Sequence, residues 1–300
     1  MCGASGLKTG NLQTILAMAT TLTRSSSLRS IRRIVAAAVV CGGLFAFTSA
    51  RSEVAAPVGM TFIPAGIYEP QLRSKDEPDK VPVQPFWLDA RPVTNAEFLE
   101  FVRKNPKWQR SKVSALFADR GYLADWAGDL ELGEAVSPAA PVVRISWFAA
   151  RAFAQSVGKR LPTTAEWERA AGAGFTQPDG ASEVGFSAYV LSWLSRPGTA
   201  QLPAAGSGRP NVFGARDLHG LVWEWVDDFN TAMTTGESRA DTGLERNLFC
   251  GAGAAGARNL TDYPAFMRAG LRSSVRANYC VPNLGFRCAQ DLAPASDISP

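Results

Sequence analysis

The chain holds one histidine, His219, and five cysteines, Cys2, Cys41, Cys250, Cys280 and Cys288, so counting bounds the chemistry open to it. A single imidazole can build neither a three-histidine metal site nor the two-histidine, one-carboxylate triad of non-haem iron. Ser-His-Asp catalysis passes the count, but no strained Gly-x-Ser-x-Gly turn supports it. Arg268, Arg272 and Arg276 recur every four residues with Asp262, Tyr263 and Tyr279 nearby, a set of guanidinium forks and phenol hydroxyls able to grip a polar ligand. The same arginines could instead pair structurally with Asp217, Asp227 or Glu224. In Val222-Trp-Glu-Trp-Val226, strand alternation puts Glu224 on one face with Val222 and Val226, so an apolar face carries a carboxylate that must be neutralised. A metal ion could do this, and so could Arg268, Arg272 or Arg287.

The elements that position these groups begin at recognisable caps. Thr94-Asn-Ala-Glu97 and Thr163-Thr-Ala-Glu166 are capping boxes, in which hydroxyl and carboxylate satisfy each other's orphan amides at a helix start. Phe98, Phe101 and Val102 follow the first as an apolar stripe, and Trp167 and Ala170 follow the second toward the core. Ser146 caps an alanine-rich helix expected to end at Gly158. Short strands and long Gly- and Pro-studded stretches, Ser195 to Val212 and Thr234 to Arg258 among them, surround these helices, giving an α+β class with high irregular content.

Residues 1–50 contain Lys8, Arg24, Arg29, Arg32 and Arg33, no acid, and an apolar run from Ile34 to Phe47 that ends in Thr48-Ser-Ala50. This pattern is a secretory signal peptide, with Met18 a plausible alternative start. Fourteen apolar residues fall short of the roughly 20 that span a bilayer, so no membrane attachment is expected after cleavage. The leader holds five of the chain's 31 basic residues. The remainder carries 26 basic against 27 acidic side chains, which removes any electrostatic reason to expect nucleic acid. We read residues 1–50 as signal, 51–57 as a short connecting segment, 58–290 as one domain and 291–300 as a disordered tail. In the periplasm, the expected compartment, the three remaining thiols suggest one bridge and one leftover.

Several blocks in fixed order resemble the formylglycine-generating, or sulfatase-modifying factor, family. They are Gly59-Met-Thr-Phe-Ile-Pro-Ala-Gly66, Pro92-Val-Thr-Asn95, Val142-Val-Arg-Ile-Ser-Trp147, Arg160-Leu-Pro-Thr-Thr-Ala-Glu-Trp-Glu-Arg169, Asp217-Leu-His-Gly-Leu-Val-Trp-Glu-Trp-Val226 and Asn283-Leu-Gly-Phe-Arg-Cys-Ala289. The resemblance implies a C-type-lectin-like fold. It places Asp262, Tyr263, Arg268, Arg272, Arg276 and Tyr279 along the family's substrate groove, and a calcium ion on Asp217, Gly220, Val222 and Glu224. The family's second calcium loop looks shortened between Phe186 and Gly206. The resemblance also brings Cys250 beside Cys288, implying a Cys250–Cys288 disulfide with Cys280 as the reactive free thiol, because the usual partner position of Cys288 is Ala154.

The copper enzymes of the family use two cysteines ahead of an Arg-x-x-x-Arg segment. Anchored on Arg268-Ala-Gly-Leu-Arg272, those positions are Asn259 and Pro264, and neither supplies the soft sulfur that cuprous ion requires. No copper or iron site is therefore expected. Leu221 also replaces an asparagine of the active relatives. The chain looks more like exported members linked to pyoverdine maturation or to nitrite-reductase accessory roles. The resemblance thus implies a periplasmic maturation factor or enzyme acting on a peptide-like substrate or a partner oxidoreductase. The alternative is a non-catalytic, lectin-like binding module, and an active formylglycine-generating oxidase ranks behind both.

Overall fold

Two helices begin on the same sequence device. In each, an Arg-x-x-Thr-x-x-Glu spacing closes a capping box and ties its glutamate to the arginine six residues upstream, Arg91 to Glu97 and Arg160 to Glu166. The first box opens α1 (Asn95–Lys104) and the second opens α3 (Thr164–Ala171). Ser146 caps α2 (Trp147–Ser156) by accepting from the Ala149 amide at 3.1 Å, and the left-handed Gly158 follows its end. These starts agree with the sequence. Helix α4 (Phe186–Leu194) lies where a shortened loop is expected, and α5 (Tyr263–Ser274) carries the arginine repeat.

The computed structural model describes residues 56–70, 78–195, 201–229 and 263–293, all in one unit spanning Glu53–Pro300. Residues 1–50, expected from sequence to be a signal peptide, together with Cys250, Asn259 and Asp262, lie outside the described residues.

Strands β1 (Met60–Ile63), β4 (Phe86–Asp89) and β7 (Ala289–Asp291) form an antiparallel sheet in the order β1-β4-β7, so the two ends of the domain share one sheet. Asp291, assigned by sequence to the tail, is thus the last residue of a paired strand, and its carboxylate accepts from Arg160. Strands β2 (Gly66–Tyr68) and β3 (Val81–Val83) pair antiparallel, while β5 (Trp223–Trp225) and β6 (Leu284–Phe286) pair parallel. Gly285 is required in β6, because a Cβ there would meet the Val142 carbonyl oxygen at 2.6 Å. The mixture of short strands, five helices and connecting loops among the described residues is α+β.

Phe98 centres the core. Its ring lies 5.3 Å from Phe101, 5.9 Å from Phe153, 6.2 Å from Phe286 and 6.4 Å from Trp126, so α1, α2, β6 and the 120s loop converge on one aromatic cluster. No described helix is long and apolar enough to cross a membrane.

Candidate functional site

Packing of α4 and α5 beside the 217–224 segment and the loop around Trp126 leaves a cavity of about 1170 Å³. Trp126, Trp167, Trp193 and Trp223 line it, with Asn95, Leu221 and His219. Small-molecule pockets usually occupy roughly 300–1,000 Å³, so this one has room for several residues of an extended peptide. Asn95 shapes one wall: its amide nitrogen donates to the Ser137, Ala140 and Pro141 carbonyls, and its oxygen accepts from Trp126 Nε1 at 3.3 Å.

The floor is ionic. Arg268 and Arg272, one turn apart on α5, both reach Glu168 of α3: Arg268 donates to its two oxygens at 2.9 and 2.6 Å, and Arg272 donates at 2.6 Å. Both guanidiniums lie over the Trp167 ring, at 5.3 and 5.1 Å from its centroid. Burial opposes the Glu168 charge, yet Arg268 and Arg272 together outweigh it and hold the carboxyl at about 2. Tyr68 faces the same cluster, and burial, reinforced by Glu168, keeps its phenol protonated. The sequence offered Asp217, Asp227 and Glu224 as partners for these arginines. The fold supplies Glu168 instead.

Glu224 belongs to a second buried pair. It accepts from Arg287 Nε at 2.7 Å and Nη2 at 2.8 Å, and from Trp167 Nε1 at 2.7 Å. Arg287 also donates to the Asp89 and Arg216 carbonyls, so four hydrogen bonds lock it in place. Asp217, in the left-handed region at φ 58, accepts from the Gly206 and Gly208 amides. Gly220, at φ 92, seats against the Trp193 indole, where any side chain would collide. This donor set does not fit the calcium arrangement expected on Asp217, Gly220, Val222 and Glu224, because both Glu224 oxygens already contact the Arg287 guanidinium, whose charge neutralises the carboxylate and repels a second cation. Among the described residues, no group of three or more His, Cys, Asp or Glu side chains is arranged to hold a metal.

His219 is half-buried, its Nε2–H donating to the Ala171 carbonyl at 2.8 Å and its ring meeting the Phe186 ring at 5.6 Å. Burial, with the nearby Arg268 charge, pushes the imidazole down to about 4. A neutral donor fixed to a backbone oxygen is a structural histidine.

Residues 30–292 match the sulfatase-modifying factor enzyme 1-like domain. The chain belongs to that family. It is similar to the mouse (Mus musculus) formylglycine-generating enzyme, at 27% identity over 296 residues covering 79% of this chain and 76% of that protein. It is also similar to the inactive C-alpha-formylglycine-generating enzyme 2 of Bos taurus, at 28% identity covering 77% of this chain and 88% of that protein. Among solved structures it is similar to PvdO from Pseudomonas aeruginosa, with TM-score 0.43 and 20% identity over 78% of this chain and 94% of that one.

Of the groove residues assigned to this sulfatase-modifying-factor-like domain by sequence, Arg268 and Arg272 line the cavity; Pro264, which was not among them, lines it too. Tyr263 opens α5 and is half exposed, while Arg276 is exposed over the Tyr279 ring at 5.8 Å; none of these three lines the cavity. Cys280, expected to be the reactive thiol, is buried, and burial together with Asp119 pushes it well above its ordinary range. Cys288 is a buried free thiol raised chiefly by burial. Its expected partner Cys250 lies outside the described residues.

Sequence reasoning missed Glu168, Asn95, Trp126, Asp125 and Arg144. Glu168 left one usable signal: two arginines a helical turn apart require a counter-charge, although nothing local names it. Arg144 stands in the quoted Val142–Trp147 block, but its unusual backbone at φ 54 cannot be read from residue type.

Proposed function

We propose that this family member is an exported factor that holds a peptide-like segment, of a substrate or of a partner oxidoreductase, in the tryptophan-lined cavity and assists its maturation in the periplasm. The observation that supports this most is the cavity itself: about 1170 Å³, four indole walls and an arginine floor. Indole faces bind side chains and backbone with little loss of conformational entropy. Pro264, at the second position where copper relatives carry cysteine, lines this cavity and brings no sulfur ligand. The activity of the mouse relative's name is therefore not carried over.

A second reading, a non-catalytic binding module, draws on the floor. Arg268, Arg272 and Glu168 are mutually committed, as are Glu224 and Arg287, so these charges shape the site rather than titrate during turnover.

Panning displayed peptides against the processed protein tests the shared part of both readings. Enriched sequences should quench tryptophan fluorescence, and Trp126→Ala or Trp193→Ala should weaken them about tenfold; no enrichment over a scaffold control would sink the peptide reading. Incubation with cuprous ion and a Cys-x-Pro-x-Arg peptide separates either reading from an oxidase, with no formylglycine expected by mass spectrometry. Fractionation should recover a species beginning near Arg51 or Ser52 in the periplasm.

A further inference from the structure

Most charge lining the cavity is shielded. The side chains of Glu224, Arg268 and Arg272 are 0%, 10% and 10% exposed, each held by an internal ion pair. Arg144 and Asp125, which also line the cavity, are the open ones, with side chains 25% and 48% exposed. Their contact is a single bond from Arg144 Nε to Asp125 Oδ2 at 2.7 Å. Both terminal amino groups of the fork are left without a hydrogen bond to any described residue.

The backbone beneath this fork is strained. Arg144 at φ 54 and Leu123 at φ 47 both occupy the left-handed region, where a Cβ is crowded and glycine is at ease. The two are joined, since the Leu123 amide donates to the Arg144 carbonyl at 2.9 Å, and the Arg144 amide donates to Val281 at 3.2 Å. Glycine at position 144 would keep those bonds and release the strain, yet the chain carries a long cation there. Strain held beside a cavity by surrounding contacts is the pattern of a residue kept for what its side chain binds.

We propose that Arg144 is the carboxylate anchor of this cavity, its free amino groups taking a carboxylate of the bound peptide while Asp125 acts as a positioning residue that aims the fork. The inference rests on the peptide reading above and adds the class of peptide, one bearing a C-terminal or a side-chain carboxylate. A planar fork beside an indole-lined wall suits that group.

Three probes test it by fluorescence titration: acetyl-Gly-Ala-Gly with a free C-terminus, acetyl-Gly-Glu-Gly amide and the neutral acetyl-Gly-Ala-Gly amide. At least one charged probe should bind about tenfold tighter than the neutral one, the worth of one charged hydrogen bond, and which one does so names the source of the carboxylate. Arg144→Gly should erase that preference and keep or raise the melting temperature. Arg144→Lys should retain part of the preference. Equal binding of all three probes by the natural protein would overturn the anchor alone. Binding of none would overturn the peptide reading and the anchor with it, and a lower melting temperature for Arg144→Gly would reduce Arg144 to a structural role.

Discussion

Glu224 and Arg287 meet at the centre of the fold through bonds of 2.7 and 2.8 Å, with neither side chain exposed. Breaking such a pair strands a buried charge, at a cost of about 3–5 kcal/mol. Arg287→Met should therefore lower the melting temperature sharply, and Glu224→Gln should do so less, since an amide still accepts from Trp167. Because the guanidinium already neutralises the carboxylate, chelator should leave the melting temperature of the natural protein unchanged. A fall on chelation that added calcium restores would show a metal competing with Arg287 for Glu224.

Glu168 carries the second internal charge. Its folded value, about 2, lies below the ordinary 4.5, so its contribution is complete above pH 4.5 and is lost as pH falls toward 2. Glu168→Gln leaves Arg268 and Arg272 without this counter-charge and should cost about 3–5 kcal/mol at neutral pH. Denaturant melts across pH 2–7 should also show a shallower acid limb in the variant. An unchanged limb would mean that other carboxylates govern acid unfolding.

His219 titrates against folding in a different window. With the folded value near 4 and the ordinary value 6.5, the unfolded chain takes the proton first, so stability is intact above pH 6.5 and declines as pH falls toward 4. The steepest slope is about 1.4 kcal/mol per pH unit from this group. His219→Phe, which keeps an aromatic ring against Phe186, should flatten the curve between pH 6.5 and 4. A curve as steep as that of the natural protein would assign the decline elsewhere.

The thiols give a kinetic test. Burial raises both Cys280 and Cys288, and the thiolate is the reactive form, so iodoacetamide at pH 8 should label neither within the time that modifies a free peptide cysteine. Both should label on unfolding in reductant. Rapid native labelling of Cys280, read by peptide mapping, would contradict its burial.

The sequence by itself determined the helix starts at Thr94, Ser146 and Thr163 and the family blocks. Caps are legible because hydroxyl and carboxylate act on amides three residues away, within the span that residue order fixes. Helix α4 escaped because its start at Gly185 has no side-chain cap to read. Partner choice was decided by the tertiary structure alone. Glu168 lies 100 and 104 residues from Arg268 and Arg272, and Glu224 lies 63 from Arg287; charge type says that each needs an opposite, and only the packing of α3 on α5 and of β5 on β6 says which. The same holds for Arg144, whose left-handed backbone is imposed by contacts with Leu123 and Val281 that no local rule foretells.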